Sequence, residues 1–352
     1  MKIGYSCWGF LGNGVLDTPD GGRSHRFVLL RELIKQGADI VMLQKNRDLI
    51  EANQSFSIKY LTFDSGFPEI NALFLEYRWA IPGRNFNVDK NSSAYTPDFD
   101  RQNNLIEFYQ NKNIPILVWD KDQKLELEEG KDIRNAIVFE PALKPRFNRR
   151  RLLFPIDETR KKKAQKEFKK YSKNKRPFKL IYIGNQYERD ESFQEFIDKP
   201  AAELSEKAMV FGNWNKYPEI YEKNLVKFPN VDFKGRIEFK KIYNIYKKSF
   251  TTALIAPDRY YETGHFTQRL FEAMFGLCIP LTPNKYAKIN EVIFKDFIVS
   301  SGNEMVEKIK EFQCKSDTVL IKLLNLQFAL LDIFNVDLQA KVILKSINEF
   351  YE

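Results

Sequence analysis

Apolar and polar positions alternate between two periods from the first residue onward. MKIGYSCW (1–8) is a compact apolar run with the character of a strand. GGRSHRFVLLRELIKQG (21–37) spaces its apolar residues at helical intervals and closes on Gly37, and ADIVMLQ (38–44) is strand-like again. NALFLEY (71–77), DRQNNLIEFYQNK (100–112) and IPILVWD (114–120) repeat the strand, helix, strand order. The periodicity fades near residues 155–177, where Lys dominates. It then restarts in FKLIYIGN (178–185), AMVFGNW (208–214), VDFKGRI (231–237), FTTALIAPD (250–258) and CIPLTP (278–283), with helical stretches such as FKKIYNIYKKS (239–249) between them.

This pattern predicts an α/β protein of two Rossmann-like, doubly wound parallel-sheet domains facing a central cleft. The expected boundaries are 1–160 for the first domain, 161–176 for a basic linker, 177–335 for the second domain, and 336–352 for a C-terminal helix returning to the first. A length of 352 residues fits two domains better than one core. In open α/β sheets ligands bind beyond the carboxyl ends of the strands, so those ends are where functional residues are sought.

Composition narrows the class. Apolar content of 43% and charged content of 29% are those of a soluble globular chain. No 18-residue apolar run is present, and the first residues lack a long apolar signal region, so a cytoplasmic protein with no membrane partner is expected. Cys7, Cys278 and Cys314 are odd in number and far apart, and only two His occur, which argues against a disulfide framework and against a metal centre. The charge is uneven. Residues 144–179 carry sixteen Lys and Arg against three acidic residues, a local +13 in a chain of net +9, so the remainder is negative. Such a segment, which includes Arg149, Arg150 and Arg151, suits a phosphate polyanion; it is equally the composition of a solvated helix face.

Several strand ends in the second half suit a nucleotide. LIYIGNQYERDES puts Gly184 where backbone can approach a phosphate and supplies Arg189 just beyond. FKGRI pairs Gly235 with Ile237 beside what would be a flat base, and APDRYYETGHFTQR brings Tyr261 and Gly264 ahead of the helix in HFTQRLFEAMFGLCIPLT (265–282). On that helix Arg269 and Glu272 share a face. They fit two readings: a guanidinium on a diphosphate with a carboxylate on ribose hydroxyls, or an i,i+3 ion pair of about 0.2–0.5 kcal/mol. The apolar continuation commits the helix to the interior, which favours binding. GFLGNG (9–14) and DGG (20–22) form a Gly-rich loop that does not match GxGxxG, so a nicotinamide cofactor is not expected; Trp79 in EYRWAIPGRNF is a candidate for stacking on a base.

LFEAMFGLCIPLT resembles the nucleotide-sugar signature of glycosyltransferases of the two-Rossmann-domain (GT-B) class, which implies that Glu272 holds the donor ribose. Retaining members carry a second Glu eight residues earlier; Gly264 stands there, and the departure points to an inverting enzyme. Over nearly its full length the chain is similar to the phage DNA β-glucosyltransferases that modify 5-hydroxymethylcytosine. That resemblance implies Ile237 at the uracil, Tyr261, Arg269 and Glu272 around the donor, and Arg189 on the diphosphate. A second diphosphate arginine of that family has no counterpart, since Gln186 or Tyr187 stands near its place. ILVWDKDQK resembles the strand ending in the family's catalytic Asp, implying Asp120 as base, with Asp122 as rival and a helix-capping role as the alternative for either. His25 stands where the family has a Glu near the sugar, with Arg23 and Arg26 beside it.

The resemblance thus implies a monomeric inverting transferase moving a sugar (glucose or a related sugar such as arabinose) from a UDP-sugar to a modified pyrimidine in double-stranded DNA, with the Arg149–Arg151 run on duplex phosphates. No DxD motif occurs, so Mg²⁺, where used, would enter through the donor phosphates. Two other readings remain open: a transferase building a cell-surface glycan or glycolipid with its lysines on anionic lipid, and a DNA-binding module that has lost activity.

Overall fold

The computed structural model describes residues 1–7, 24–43, 62–64, 66–77, 79, 98–127, 132–215 and 218–352. GFLGNG, DGG, Arg23 and most of EYRWAIPGRNF therefore lie outside the described residues. The chain divides into two compact units, Met1–Asp157 with Phe334–Glu352, and Glu158–Ile333.

In the first unit the described strands are β1 (Lys2–Cys7), β2 (Asp39–Met42), β3 (Thr62–Phe63), β4 (Ala72–Glu76), β5 (Ile116–Trp119), β6 (Ala136–Glu140) and β7 (Arg150–Arg151). They form one sheet in the order β3-β2-β1-β4-β5-β6-β7, and every pairing is parallel. β4 and β5 are buried along their whole length, so their sequences read as unbroken apolar runs rather than alternating ones. Leu73, Leu75, Ile116 and Val118 pack there against Leu105 and Tyr109 of the helix Asp98–Asn111.

The C-terminal helix Val336–Tyr351 is part of this unit. Its N-cap Asn335 accepts a hydrogen bond from the Asp337 amide. Gln339 Oε1 accepts from the Leu153 amide at 2.8 Å, and the Tyr351 hydroxyl donates to the Asn71 carbonyl at 2.7 Å.

In the second unit β8 (Phe178–Ile183), β9 (Ala208–Phe211), β10 (Val231–Gly235), β11 (Ser249–Ala253), β12 (Ile279–Pro283) and β13 (Ile298–Val299) form a parallel sheet in the order β10-β9-β8-β11-β12-β13. The chain order reverses direction between β1 and β4 in the first sheet and between β8 and β11 in the second. Those are the two topological switch points.

Residues 161–176 are not the linker that their composition suggests. They continue a helix, Glu158–Glu167, followed by short 3₁₀ turns at Phe168–Lys170 and Lys173–Lys175, all within the second unit. Lys161, Ala164 and Phe168, at i, i+3 and i+7, turn inward. Lys161 ion-pairs Asp332, and Phe168 meets Phe328 edge-on at 5.5 Å. Lys173 donates to the carbonyls of Gln313 and Lys315 at the end of the helix Gly302–Cys314.

Arg176 fastens three elements. Its Nη1 donates to the carbonyls of Tyr246 (3.1 Å) and Ser249 (2.7 Å), its Nη2 to that of Gly276 (3.0 Å), and its guanidinium lies 4.7 Å from the Tyr171 ring centroid. Arg176→Met keeps the apolar stem and strips three carbonyls of their donor, so denaturant unfolding should show a loss of about 2–4 kcal/mol. A loss below about 0.5 kcal/mol would show that these carbonyls find water instead.

Candidate functional site

The switch point of the second sheet is built around Gly184, the residue after β8. Its amide donates to Phe211 O at 2.8 Å, and its carbonyl accepts from the Trp214 indole at 2.6 Å. A Cβ placed on Gly184 would lie 2.6 Å from Arg269 Nη2 and 2.6 Å from the Tyr182 hydroxyl, so only glycine lets the guanidinium pack on the backbone here. Gly212 makes the next contact possible: its φ is +151°, and a Cβ there would stand 2.1 Å from the Gly184 carbonyl oxygen.

Two side chains lock the loops that follow β8 and β9. Asn185 Oδ1 accepts from the Asn213 amide at 3.1 Å, and Asn213 Oδ1 accepts from the Gln186 amide at 2.8 Å. Asn224 then donates to the Trp214 carbonyl at 2.6 Å. The rim is therefore fixed before any ligand arrives, the condition under which donors act without reorganisation.

Unmatched donors collect at this rim. Arg269, at the start of the helix Arg269–Phe275, is half-buried with its guanidinium 5.6 Å from the Tyr182 ring centroid, and it has no hydrogen-bond or ion-pair partner among the described residues. Among the described residues the Tyr182 and Tyr246 hydroxyls are buried without partners. Arg189 donates from Nη1 to the carbonyls of Asn185 (2.9 Å) and Tyr187 (3.1 Å), while its Nε is buried and unpaired. Tyr286 lies in the field of both arginines. Buried donors without acceptors are costly and uncommon, and those of Tyr182, Tyr246 and Arg189, beside a half-buried guanidinium and a glycine at a switch point, make this rim the candidate site for an anion.

The other residues singled out from the sequence take distinct places. Glu272 is buried one turn after Arg269, where its charge raises the hydroxyl of Tyr246, whose pKa burial has already pushed well up. Ile237 is half-buried against the cluster of Ile183, Phe211 and Tyr246, and Gly235 beside it has φ +73° and faces the Asn215 side chain. Tyr261 serves as an anchor, its hydroxyl accepting from the Ala256 amide at 3.0 Å and lying 3.2 Å from the Ser192 hydroxyl.

In the first unit Asp120 follows β5 and is 1% exposed. Oδ1 accepts from the Lys124 amide (2.9 Å); Oδ2 accepts from the Leu125 amide (2.9 Å), Arg146 (3.0 Å) and Arg149 (2.8 Å). Burial pushes its pKa up to about 6 against the pull of those amides and arginines. Asp122 is half-buried in the turn two residues on.

Two expectations need correction. Arg149 is not a free phosphate ligand: it is 4% exposed and bridges Asp120 and Glu140, the latter at 2.7 Å. Arg150 is bound to Ser346 and Glu349 of the C-terminal helix, and Arg151 alone of the three is exposed without a partner among the described residues. His25 is fully buried among the described residues, its ring 5.2 Å from that of Trp119 and 4.8 Å from that of Phe154, a packing position in place of the exposed one beside a sugar that was expected.

Sequence reading passed over Glu76, at the end of β4 beside the first switch point. Arg26 clamps it with two bonds of 2.7 and 2.6 Å, and Lys121 and the Tyr5 hydroxyl also reach it. Burial would raise this carboxyl, but Arg26 and Lys121 outweigh burial and hold it well below the usual range. The signal was a lone carboxylate inside the apolar run NALFLEY. Tyr182, Asn213 and Trp214 carried no signal beyond their place at strand ends.

The two sheets and their strand orders define the GT-B fold, two Rossmann-like units in one chain. No family profile and no curated protein matches the sequence. Among solved structures, the β-glucosyltransferase of phage T4 in complex with UDP-glucose matches with a TM-score of 0.62 at 14% identity over 99% of both chains. Another structure of a β-glucosyltransferase, described as a DNA-modifying enzyme, matches with a TM-score of 0.60 at 15% identity over 99% of this chain and all of the other. HepE of Anabaena in complex with UDP-glucose matches with a TM-score of 0.60 at 10% identity, covering 99% of this chain and all of the other. At such identities the likeness is one of fold.

Gly184→Ala tests the site directly. The added methyl meets the ends of the Arg269 and Tyr182 side chains and not backbone, so the fold should persist while the guanidinium is displaced. Pyrophosphate or UDP should then bind about tenfold or more weakly by calorimetry, with the unfolding midpoint nearly unchanged. Undiminished binding would remove Gly184 and Arg269 from the anion site.

Proposed function

We propose that the chain is an inverting glycosyltransferase that takes a sugar, glucose or a related one such as arabinose, from a UDP-sugar and delivers it to the hydroxyl of a 5-hydroxymethylcytosine-type pyrimidine in double-stranded DNA. The observation that carries the donor half is the partnerless Arg269 guanidinium packed on Gly184. A diphosphate supplies the acceptors that Arg269 and Arg189 lack, and it leaves with the bonding electron pair when the anomeric carbon–oxygen bond breaks. Glu272, one turn on, accepts from ribose hydroxyls, and Ile237 lies against the uracil. The structures of similar fold bound to UDP-glucose support this donor.

The acceptor half rests on the likeness to the phage DNA-modifying enzyme. Inversion requires the acceptor oxygen to attack the anomeric carbon from the face opposite the diphosphate while a base removes the hydroxyl proton. Asp120 suits that role. Among the described residues its Oδ1 accepts a single bond and so keeps a lone pair, and a carboxyl pushed up to about 6 is ionised at neutral pH yet basic enough to take a proton. Arg146 and Arg149 hold it in place. A divalent cation would be carried on the donor phosphates, and a UDP–Mn²⁺ complex of the T4 enzyme is consistent with that.

A second reading keeps the donor and changes the acceptor to a cell-surface glycan or glycolipid, because the same fold is shared with proteins not described as DNA-modifying, HepE with UDP-glucose and a glycosyltransferase involved in avilamycin A biosynthesis (TM-score 0.55, 9% identity, 99% of this chain and 97% of the other). Mass spectrometry of hydroxymethylated and plain duplexes after incubation with a panel of UDP-sugars separates the two. A mass gain on the modified duplex alone supports the first reading, and none with any donor, in a chain that hydrolyses UDP-sugar, supports the second.

Glu272→Ala should weaken UDP binding by about 1–3 kcal/mol in a folded protein, the scale of lost hydrogen bonds to a charged group. Unchanged affinity removes Glu272 from the ribose. For Asp120 the base form is the carboxylate, so the transfer rate should fall about tenfold per pH unit below about 6 and level off above it. Asp120→Asn should cost about 10²–10⁴-fold in rate with UDP affinity retained. If Asp122→Asn produces that loss instead, the base is Asp122.

A further inference from the structure

The basic segment divides cleanly in the structure. Lys161, Lys173 and Arg176 turn inward and fasten it to the second unit. Lys162, Lys163, Lys166, Lys169 and Lys170 are exposed on its other side. At about 100° per residue Lys162, Lys163 and Lys166 fall within an arc of roughly 100°, opposite Lys161 and Ala164, and Lys169 and Lys170 are exposed in the 3₁₀ turn that follows. The five span about 12 Å of axis at 1.5 Å per residue.

Among the described residues none of the five has a carboxylate within ion-pair distance. Elsewhere in the same unit some exposed lysines are matched, Lys227 with Asp190 and Lys234 with Asp232 at 2.5 Å, while others, Lys207, Lys248, Lys310 and Lys322, have no carboxylate partner among the described residues, so what sets the five apart is their gathering on one side of a single short segment. The one acidic residue in the last turn of the lysine helix, Glu167, faces Lys247 at 3.9 Å. Five like charges held on one rigid face repel each other by a few tenths of a kcal/mol per neighbouring pair, an arrangement relieved by an extended polyanion.

We propose that this lysine face, and not the Arg149–Arg151 run, is the surface on which duplex DNA rests its phosphate backbone. The inference builds on the DNA-acceptor reading of the function. A duplex presents one phosphate charge per about 1.7 Å of axis, so the 12 Å face meets several phosphates at once. Anionic lipid is the poorer fit, because a helix that binds membranes inserts an apolar face, and the apolar face of this one is occupied by Phe328 and the rest of its own unit. Lysines contacting phosphates position a duplex without reading its sequence.

The test compares the full chain with a variant in which Lys162, Lys163, Lys166, Lys169 and Lys170 are all changed to Gln, and with the double variant Arg150→Gln, Arg151→Gln. Binding to a 30-base-pair duplex, hydroxymethylated and plain, is followed by anisotropy between about 50 and 200 mM salt, with UDP binding as the measure of an intact second unit. The lysine variant should bind both duplexes about tenfold or more weakly, with its log–log salt slope flattened by about 0.9 for each phosphate no longer neutralised, while UDP affinity and the double variant's DNA binding stay close to the parent's. A parent that binds DNA with a lysine variant of the same affinity and slope overturns this inference and leaves the DNA-acceptor reading standing. The same holds if the arginine variant alone loses the slope. A parent that ignores both duplexes but sediments with phosphatidylserine vesicles overturns both.

Discussion

Arg269 packed on the Gly184 backbone is the contact on which the rest of the second unit's site depends. It requires a residue without a side chain at the end of β8, a second glycine at 212 so that the neighbouring strand can reach the Gly184 carbonyl, and the Trp214 indole to satisfy that carbonyl. The loops after β8 and β9 are then pinned to each other through Asn185 and Asn213. What results is a rigid rim holding a half-buried guanidinium that feels the charge of Glu272 and is bonded to no acceptor among the described residues. Such a group is placed to take an acceptor from an anion.

The first unit handles charge in the opposite way. Its carboxylates, Glu76 at the switch point and Asp120 and Glu140 at the ends of β5 and β6, are all met by cations: Arg26 and Lys121 for the first, Arg146 and Arg149 for the others. Removing one partner from such a network is costly, because it strands a buried charge. These groups are therefore fixed in place, which is what the base role proposed for Asp120 needs if an acceptor is to be met in one orientation. The contrast between a cation without a bonded acceptor in one unit and matched carboxylates in the other fits the donor and base roles proposed for them.

Much of this was legible in the sequence. Fully buried parallel strands such as ALFLE and ILVW write themselves as unbroken apolar runs, and the glycines that end β8 and β10 mark the loops where backbone must approach something closely. The Arg269 and Glu272 pair stood out because charge on a buried helix needs a reason. What stayed illegible depends on who meets whom across the fold. A run of basic residues gives net charge but not direction, so Arg149, buried against Asp120, read the same as Arg151, exposed to solvent. The lysine-rich stretch looked like a linker because its inward set, Lys161, Ala164 and Phe168, has only one residue of obvious apolar character. His25 resembled a polar site residue, yet its neighbours Trp119 and Phe154 are far away in sequence.

The central claim is that Arg269 and Gly184 form the diphosphate seat of a nucleotide-sugar donor. A crystal structure of the full chain with UDP bound tests it most directly. The account predicts the diphosphate within hydrogen-bond distance of the Arg269 guanidinium and close to the Gly184 backbone, with the ribose hydroxyls on Glu272 and the uracil against Ile237. UDP bound elsewhere, with Arg269 paired to a protein carboxylate, would contradict it.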